Sequence, residues 1–369
     1  MAVTNFAALT TEQKTVWSRD MWKVARNMSF MNRFSGSGPN SMVQRITELT
    51  KSEKGARAVV TLVADMETDG VAGDNQQDGN EEEIKSYDQV VQIDQLRNAN
   101  RHKGRMAEQR SVVNFRETAR DVLGYWMADR IDQMAFLTLS GVAYSQKNTG
   151  AVRDTGSQLI ELDFAADVTA PSANRYRRWS ATGGLVAGDT TAVAATDTPS
   201  YDMLVEAKAY AKSNYLRGIR GAGNDEYYHV FMSPQGMAKL KLDPNYLANL
   251  RNAGERGGKN PLFSGASVTQ DGLIIHEFRH VYNTSQATSG VNKWGAGSAI
   301  NGQRVLMCGA QALALADIGI PYWNEEGKDY GNQQGISVGK IFGLKKPVFH
   351  SNVSNTSEDF GVLCIDTAY

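Results

Sequence analysis

Between Val112 and Val142 apolar residues return at intervals of three and four. Val112, Phe115, Ala119, Val122 and Trp126 form one stripe, and Leu123, Met127, Ile131 and Met134 continue it as it drifts around the axis. Charged residues fill much of the remainder, and no proline occurs between Pro39 and Pro171. The pattern predicts one helix over residues 101–140, stopped by Ser140-Gly141, a rod of roughly 50–60 Å. Before it, residues 42–98 switch to a two-residue period. Residues 42–50 and 58–63 read as strands joined by a turn at 51–55. A polar tip with Gly70, Gly73 and Gly79 follows at 67–83, and a return strand spans 87–93. A tip of that length is foreign to a compact interior, so this ribbon is expected to project and to be ordered by another chain.

Residues 11–34 are amphipathic and rich in large apolar side chains, among them Trp17, Trp22, Phe30 and Phe34, and end in Ser35-Gly36-Ser37-Gly38-Pro39-Asn40. They read as an arm that latches onto a neighbour. Residues 141–200 are rich in Gly, Ala, Ser and Thr and read as an insertion or surface segment. Downstream, helices are expected at 201–216, at 235–242 behind the Ser233-Pro234 cap, and at 245–252. Strands are expected at 227–232, 336–342, 348–349 and 360–366, the last tying the C-terminal stretch into a sheet. Mixed and segregated in this way, the elements define an α+β chain.

Charge refines the picture. Lys and Arg number 39 against 40 Asp and Glu, so no global field argues for nucleic acid. Locally the balance inverts. Residues 61–96 carry ten acids against the single cation Lys85, and the flanking segments are basic. Opposite blocks permit docking between copies. The acids Asp74, Asp78, Glu81, Glu82 and Glu83 are therefore candidate partners for Arg101, Arg105, Arg110 and Arg116 of a neighbour. With 41% hydrophobic and 21% charged residues the composition is that of a soluble globular protein. No run reaches the length of a membrane span, and no membrane partner is expected. Cys308 and Cys364 lie in apolar runs and read as buried free thiols.

Chemistry has few places to reside. His276-Glu277-Phe278-Arg279-His280 is a literal H-E-x-x-H, which on a helix would set two imidazoles on one zinc ion with Glu277 as general base. Leu273-Ile274-Ile275 is β-prone, however, and on a strand residues four apart lie ~13 Å from each other. Asp65-x-Glu67-x-Asp69-Gly70 begins like a calcium loop, but Gln76 stands where a bidentate glutamate is needed. No phosphate loop or nucleophile elbow is present. The expectation is a protein without catalytic residues or cofactors, with a zinc-dependent hydrolase at His276, Glu277 and His280 as the alternative.

A series of short motifs falls in one order: Gly36-Ser-Gly38-Pro-Asn40, Thr47-Glu-Leu-Thr-Lys51, Gly70-Val-Ala-Gly-Asp74, Ile93-Asp-Gln-Leu-Arg97, Asn260-Pro-Leu-Phe-Ser-Gly-Ala266, Cys308-Gly-Ala-Gln-Ala312 and Asp329-Tyr-Gly-Asn332. This series resembles the major capsid proteins of tailed bacteriophages, which adopt the Johnson fold. The resemblance implies an N-terminal arm (1–41), an extended loop (42–98) and the spine helix of a peripheral domain (99–145). It further implies an inserted segment (146–199), an axial domain (200–320) and return strands of the peripheral domain (321–369). It also implies a virion shell of hexamers and pentamers around double-stranded DNA, made in the bacterial cytoplasm. Portal, scaffolding and decoration proteins are its implied partners, and the DNA is touched non-specifically at most. An encapsulin-like cargo shell is the second alternative of the same fold.

Overall fold

The computed structural model describes residues 11–47, 55, 57–63, 68–82, 86–110, 115–221, 225–252, 268–351 and 356–369. The chain opens with helix α1 (Thr11–Met28) and a 3-10 turn (Met31–Phe34), then β1 (Ser35–Gly36) and β2 (Val43–Ile46). A ribbon of β3 (Arg57–Val63) and β4 (Ser86–Gln92) leads into β5 (Asp94–Arg101), a short helix α2 (Arg105–Arg110) and the spine, α3 (Phe115–Ser140). After β6 (Tyr176–Ser180) and β7 (Gly184–Ala187) come α4 (Tyr201–Ser213), β8 (Ile219–Arg220), β9 (Glu226–Met232), α5 (Pro234–Leu242) and α6 (Pro244–Asn252). The rest is strand: β10 (Val268–Gln270), β11 (Leu273–Glu277), β12 (Gly302–Cys308), β13 (Leu313–Asp317) and β14 (Tyr322–Lys328). The chain finishes through β15 (Gln333–Lys345), β16 (Val348–Ser351), β17 (Thr356–Asp359) and β18 (Val362–Ala368).

The described spine begins at Phe115, and residues 111–114 before it lie outside the described residues. At 26 residues it is a rod of about 39 Å. Of the expected 101–140, Arg101 ends β5, which pairs antiparallel with β15 from Asp94 opposite Phe342 to Arg101 opposite Gly335, and residues 105–110 are helical as α2. The spine's other end is sharply made. Gly141 is left-handed (φ 65°), its amide donates to the Thr138 carbonyl, and the Val142 amide donates to that of Leu137. Those two bonds satisfy carbonyls that a helix end leaves open.

Strand pairing also departs from the expected hairpin. β2 lies parallel to β13, with Val43 opposite Leu313, whereas β3 pairs with β4, from Arg57 opposite Gln92 to Val63 opposite Ser86. The ribbon is therefore 57–92. Its root is tight: a Cβ added to Gly343 would sit 2.0 Å from the Gln92 carbonyl oxygen. Gly343→Ala is expected to lower stability by ~1–3 kcal/mol, read in a thermal melt of the unassembled chain.

Two sheets organise the rest. A six-stranded one runs β1-β2-β13-β15-β14 with β5 on β15, and an eight-stranded one runs β10-β11-β9-β12-β18-β6-β7 with β8 on β9. The second is buried on both faces. Phe231, Leu306, Cys308, Val362 and Cys364 face the core of the spine, while Val230, Met232, Val305, Met307, Leu363 and Ile365 face α4 and α5. Alternate residues of one strand thus enter two different cores, which is why these strands read as unbroken apolar runs. Two expectations change here. Residues 146–199 are not merely a surface insertion, since β6 runs parallel to β18 inside this sheet. The last strand does not rejoin the six-stranded sheet either, but lies between β12 and β6 with all seven residues buried.

A buried ionic knot ties these parts together. Arg304 on β12 donates through Nε and Nη2 to the two carboxylate oxygens of Asp366 on β18 (2.7 and 3.0 Å) and through Nη1 to the Ser140 carbonyl at the spine's end (2.7 Å). The Tyr176 hydroxyl donates to the same carboxylate at 2.6 Å. Burial opposes the charge on Arg304, and Asp366 more than offsets it, so the guanidinium pKa is raised. Both thiols are free and buried; burial raises Cys308 and pushes Cys364 up to about 12.

Candidate assembly surfaces

The ribbon has one face on its own chain and one without cover. Ala58 and Val91 are buried beside Ile46, Ile93 and Phe349. Val59 and Val90 stand directly opposite each other on the other face, 44% and 37% exposed. Beyond them the tip is polar, and of residues 68–82 all but Val71 and Glu82 are exposed. Its hydrogen bonds close on the tip itself. Thr68 donates from its amide and hydroxyl to Glu82 (3.0 and 2.8 Å), and the Gly79 amide donates to Glu81 (2.8 Å). Asp74, Asp78 and Glu81 are thus presented outward on a loop of preset shape, while Glu83 lies outside the described residues.

The four candidate arginines divide. Arg101, Arg105 and Arg110 are exposed. Arg116 is half-buried and donates to Glu325 on β14 at 2.9 Å, so its charge is already engaged within the chain. No ion pair joins the tip acids to these arginines among the described residues of one chain.

The aromatic arm is corrected by the structure. Phe30 stacks on Phe278 with ring centroids 4.1 Å apart, and Phe34 meets Phe231 edge-on at 5.3 Å. Lys340 sits 3.9 Å from the ring centre of Trp22, and Met21 and Ala25 are buried in the spine's core. The side chain of Trp17 lies outside what is described. Met21, Trp22, Ala25, Phe30 and Phe34 therefore pack into the subunit's own interior. The lock is Asp132, buried on the spine, whose carboxylate accepts from Ser29 Oγ (2.7 Å) and from the amides of Phe30 (2.8 Å) and Met31 (3.2 Å). Burial raises its pKa against the opposing pull of those three donors. A charged residue within a buried stripe (Ala128, Ile131, Ala135) was the available signal for this contact. Asp132→Ala is expected to remove ~2–3 kcal/mol in a denaturant titration, because two amides and a hydroxyl lose their charged acceptor.

His276-Glu277-x-x-His280 is not helical. His276 lies on β11, and its Nε2 is 2.9 Å from Nδ1 of His229 on β9. Burial takes His229 down to about 4, with repulsion from His276 second, and burial with Arg33 second takes His276 to about 4. His280 turns to Asp129 on the spine at 2.7 Å, and Glu277 faces Lys241 at 3.4 Å. The two imidazoles thus have separate partners, and no set of three or more candidate metal ligands occurs among the described residues. The zinc alternative fails on this geometry.

The chain is similar to phage capsid proteins over almost its whole length. The family described as phage capsid protein matches residues 5–369. The major capsid protein of Pseudomonas phage KPP25 is 57% identical over 368 residues, covering 99% of this chain and 97% of that one. Among solved structures, the capsid of Ralstonia phage GP4 superposes with a TM-score of 0.75 at 27% identity, over 92% of this chain and 91% of that chain. The cyanophage Pam1 capsid asymmetric unit shares the fold at a TM-score of 0.72 and 19% identity, over 100% and 96% of the two chains. With its Johnson-type α+β architecture, this chain belongs to the phage capsid protein family.

Proposed function

We propose that this chain is the major capsid subunit of a phage head, many copies tiling as hexamers and pentamers into an icosahedral shell around double-stranded DNA. The observation that carries the reading is the ribbon 57–92, whose exposed face bears Val59 and Val90 and whose polar tip presents Asp74, Asp78 and Glu81 outward. Such a ribbon gains cover when it lies across a neighbouring copy. In that arrangement the ribbon 57–92 forms the extended loop, α3 the spine helix and 321–369 much of the peripheral domain. The eight-stranded sheet with α4 and α5 then forms the axial domain around 200–320, to which β6, β7 and β18 also contribute. Arg101, Arg105 and Arg110 steer the tip of a neighbour by charge. The chain acts as a building unit without catalysis, in a shell that takes a portal and, during or after assembly, scaffolding or decoration proteins. A nearly neutral chain suits a container that must release its DNA.

Negative-stain microscopy and sedimentation of the purified chain test this reading. Closed shells or hexameric rings are the expected result, and a persistent monomer under all conditions overturns it. A finer test shortens the tip within 68–82 to an Asn-Gly turn. The melting of the unassembled chain is expected to stay within ~0.5 kcal/mol of wild type, since surface changes away from packing cost little. Particle yield is expected to fall by about an order of magnitude, because an interface loses its projecting part.

A further inference from the structure

The spine and the segment after it enclose a depression that the sequence did not single out. About 310 Å³ in volume, it is lined by Arg130, Lys147 and Arg153 together with Gln133, Asn148, Thr149, His280 and Gln286, and by no carboxylate. Arg153 forms its floor: the residue is 8% exposed, its Nε donates to the Gln146 carbonyl at 3.1 Å, and its Nη2 is buried without a hydrogen-bond partner. Arg130 is held by Gln133 Oε1 at 2.6 Å, and Lys147 meets the exposed Asp154 only at 3.9 Å. Burial, and after it the neighbouring Arg130, lowers the pKa of Arg153. The half-buried Asp129 beside the depression accepts from Gln133, Arg279 and His280 and is drawn to Arg130 through space, while no hydrogen bond joins it to Arg153 or Lys147 among the described residues. A buried donor left open in this way is costly unless something fills it. The depression continues into a groove of about 970 Å³ along β5. Of that groove's acids, Asp94 accepts from the Asp163 amide at 3.0 Å, and Asp154 and Glu161 lie on the exposed side.

We propose that Arg130, Lys147 and Arg153 form an anion seat that receives a carboxylate from the acidic ribbon tip of a second copy of this chain. The proposal rests on the shell reading above and names where the tip ends. Charge complementarity selects the occupant: residues 68–82 carry Asp69, Asp74, Asp78, Glu81 and Glu82 and no cation. Depth selects it over nucleic acid. A side-chain carboxylate can descend to the open Nη2 of Arg153 and make a charge-assisted bond there, whereas a duplex phosphate rides at the surface. The exposed Arg101, Arg105 and Arg110 then act in approach, and the seat fixes the register.

Reciprocal charge reversal tests it, with shells of the wild-type full-length chain as the baseline. Arg130→Glu with Lys147→Glu is expected to lower the assembled fraction about tenfold or more. Asp74→Lys with Asp78→Lys and Glu81→Lys is expected to do the same, and joining the two sets in one chain to restore assembly to within about threefold of wild type. Wild-type shells with no effect of either set, or with losses that combine without rescue, overturn the seat and leave the shell reading standing. Intact shells that lose only their nucleic acid overturn it in favour of phosphate as the anion. A wild-type chain that never assembles overturns both. Should the seat reversal fail to fold, as shown by the melt of the unassembled chain, Thr149→Cys with Asp78→Cys replaces it. Oxidised glutathione is then expected to link subunits into a reducible ladder, and the absence of that ladder in assembled particles overturns the seat.

Discussion

Asp366→Ala is expected to leave little folded chain at 37 °C. The substitution strips the buried Arg304 guanidinium of its bidentate partner and the Tyr176 hydroxyl of its acceptor. Removing one member of a buried pair costs ~3–5 kcal/mol, because the remaining charge has no water to turn to. Set against a typical stability of ~5–15 kcal/mol, that is a large share. The damage should also spread, since Arg304 holds the Ser140 carbonyl and thereby connects the spine's end to β12 and β18. A denaturant titration and the soluble yield at expression read the effect. The paired change Arg304→Met with Asp366→Leu should recover much of the loss, because no lone charge is then buried. An Asp366→Ala chain within ~1 kcal/mol of wild type would show that the guanidinium finds water after all.

Acid should weaken the unassembled subunit through the His229–His276 pair. Both imidazoles are held near 4, against an ordinary value of 6.5, chiefly by burial among Phe34, Phe231 and their neighbours. A folded-state pKa below the unfolded one means that the unfolded chain binds protons first as pH falls. The contribution is therefore complete above about pH 6.5 and is lost progressively as pH drops towards 4. For the coupled pair the loss should be on the order of 3 kcal/mol. Melting midpoints recorded across this window check it. His229→Phe with His276→Leu should flatten the profile between these limits, and an unchanged slope in that variant would assign the acid response to other groups.

Much of the architecture was legible because its signals are local. The α4, α5 and α6 helices announced themselves through caps and spacing, and Ser200 and Ser233 do accept from the amides of Met203 and Gly236. The spine's C-terminal stop was legible in Gly141 for the same reason. Pairing was not, because partners chosen across the chain leave no trace in a strand's own residues. Thus 42–50 looked like half of a hairpin when β2 belongs beside β13. The exposed strand β5, with Arg97, Asn98 and Asn100, lacked the apolar alternation that marks a half-buried strand. Aromatic content alone could not say whether Phe30 and Phe34 face a neighbour or the interior; only the position of β9, β11 and the spine decides that. The seat around Arg153 was invisible for a related reason. Its three cations are scattered from 130 to 153, and the burial of Arg153 is a property of the folded chain.

The place of β18 has a consequence for how such a subunit is made. Residues 362–368 separate β12 from β6, so the eight-stranded sheet stays divided until that stretch has left the ribosome. Their partners lie roughly 60 and 190 residues upstream, which makes closure a late, long-range step. Both cores that this sheet separates therefore stay open along β12 and β6 until 362–368 slot between them, so the two halves of the fold must become ordered together.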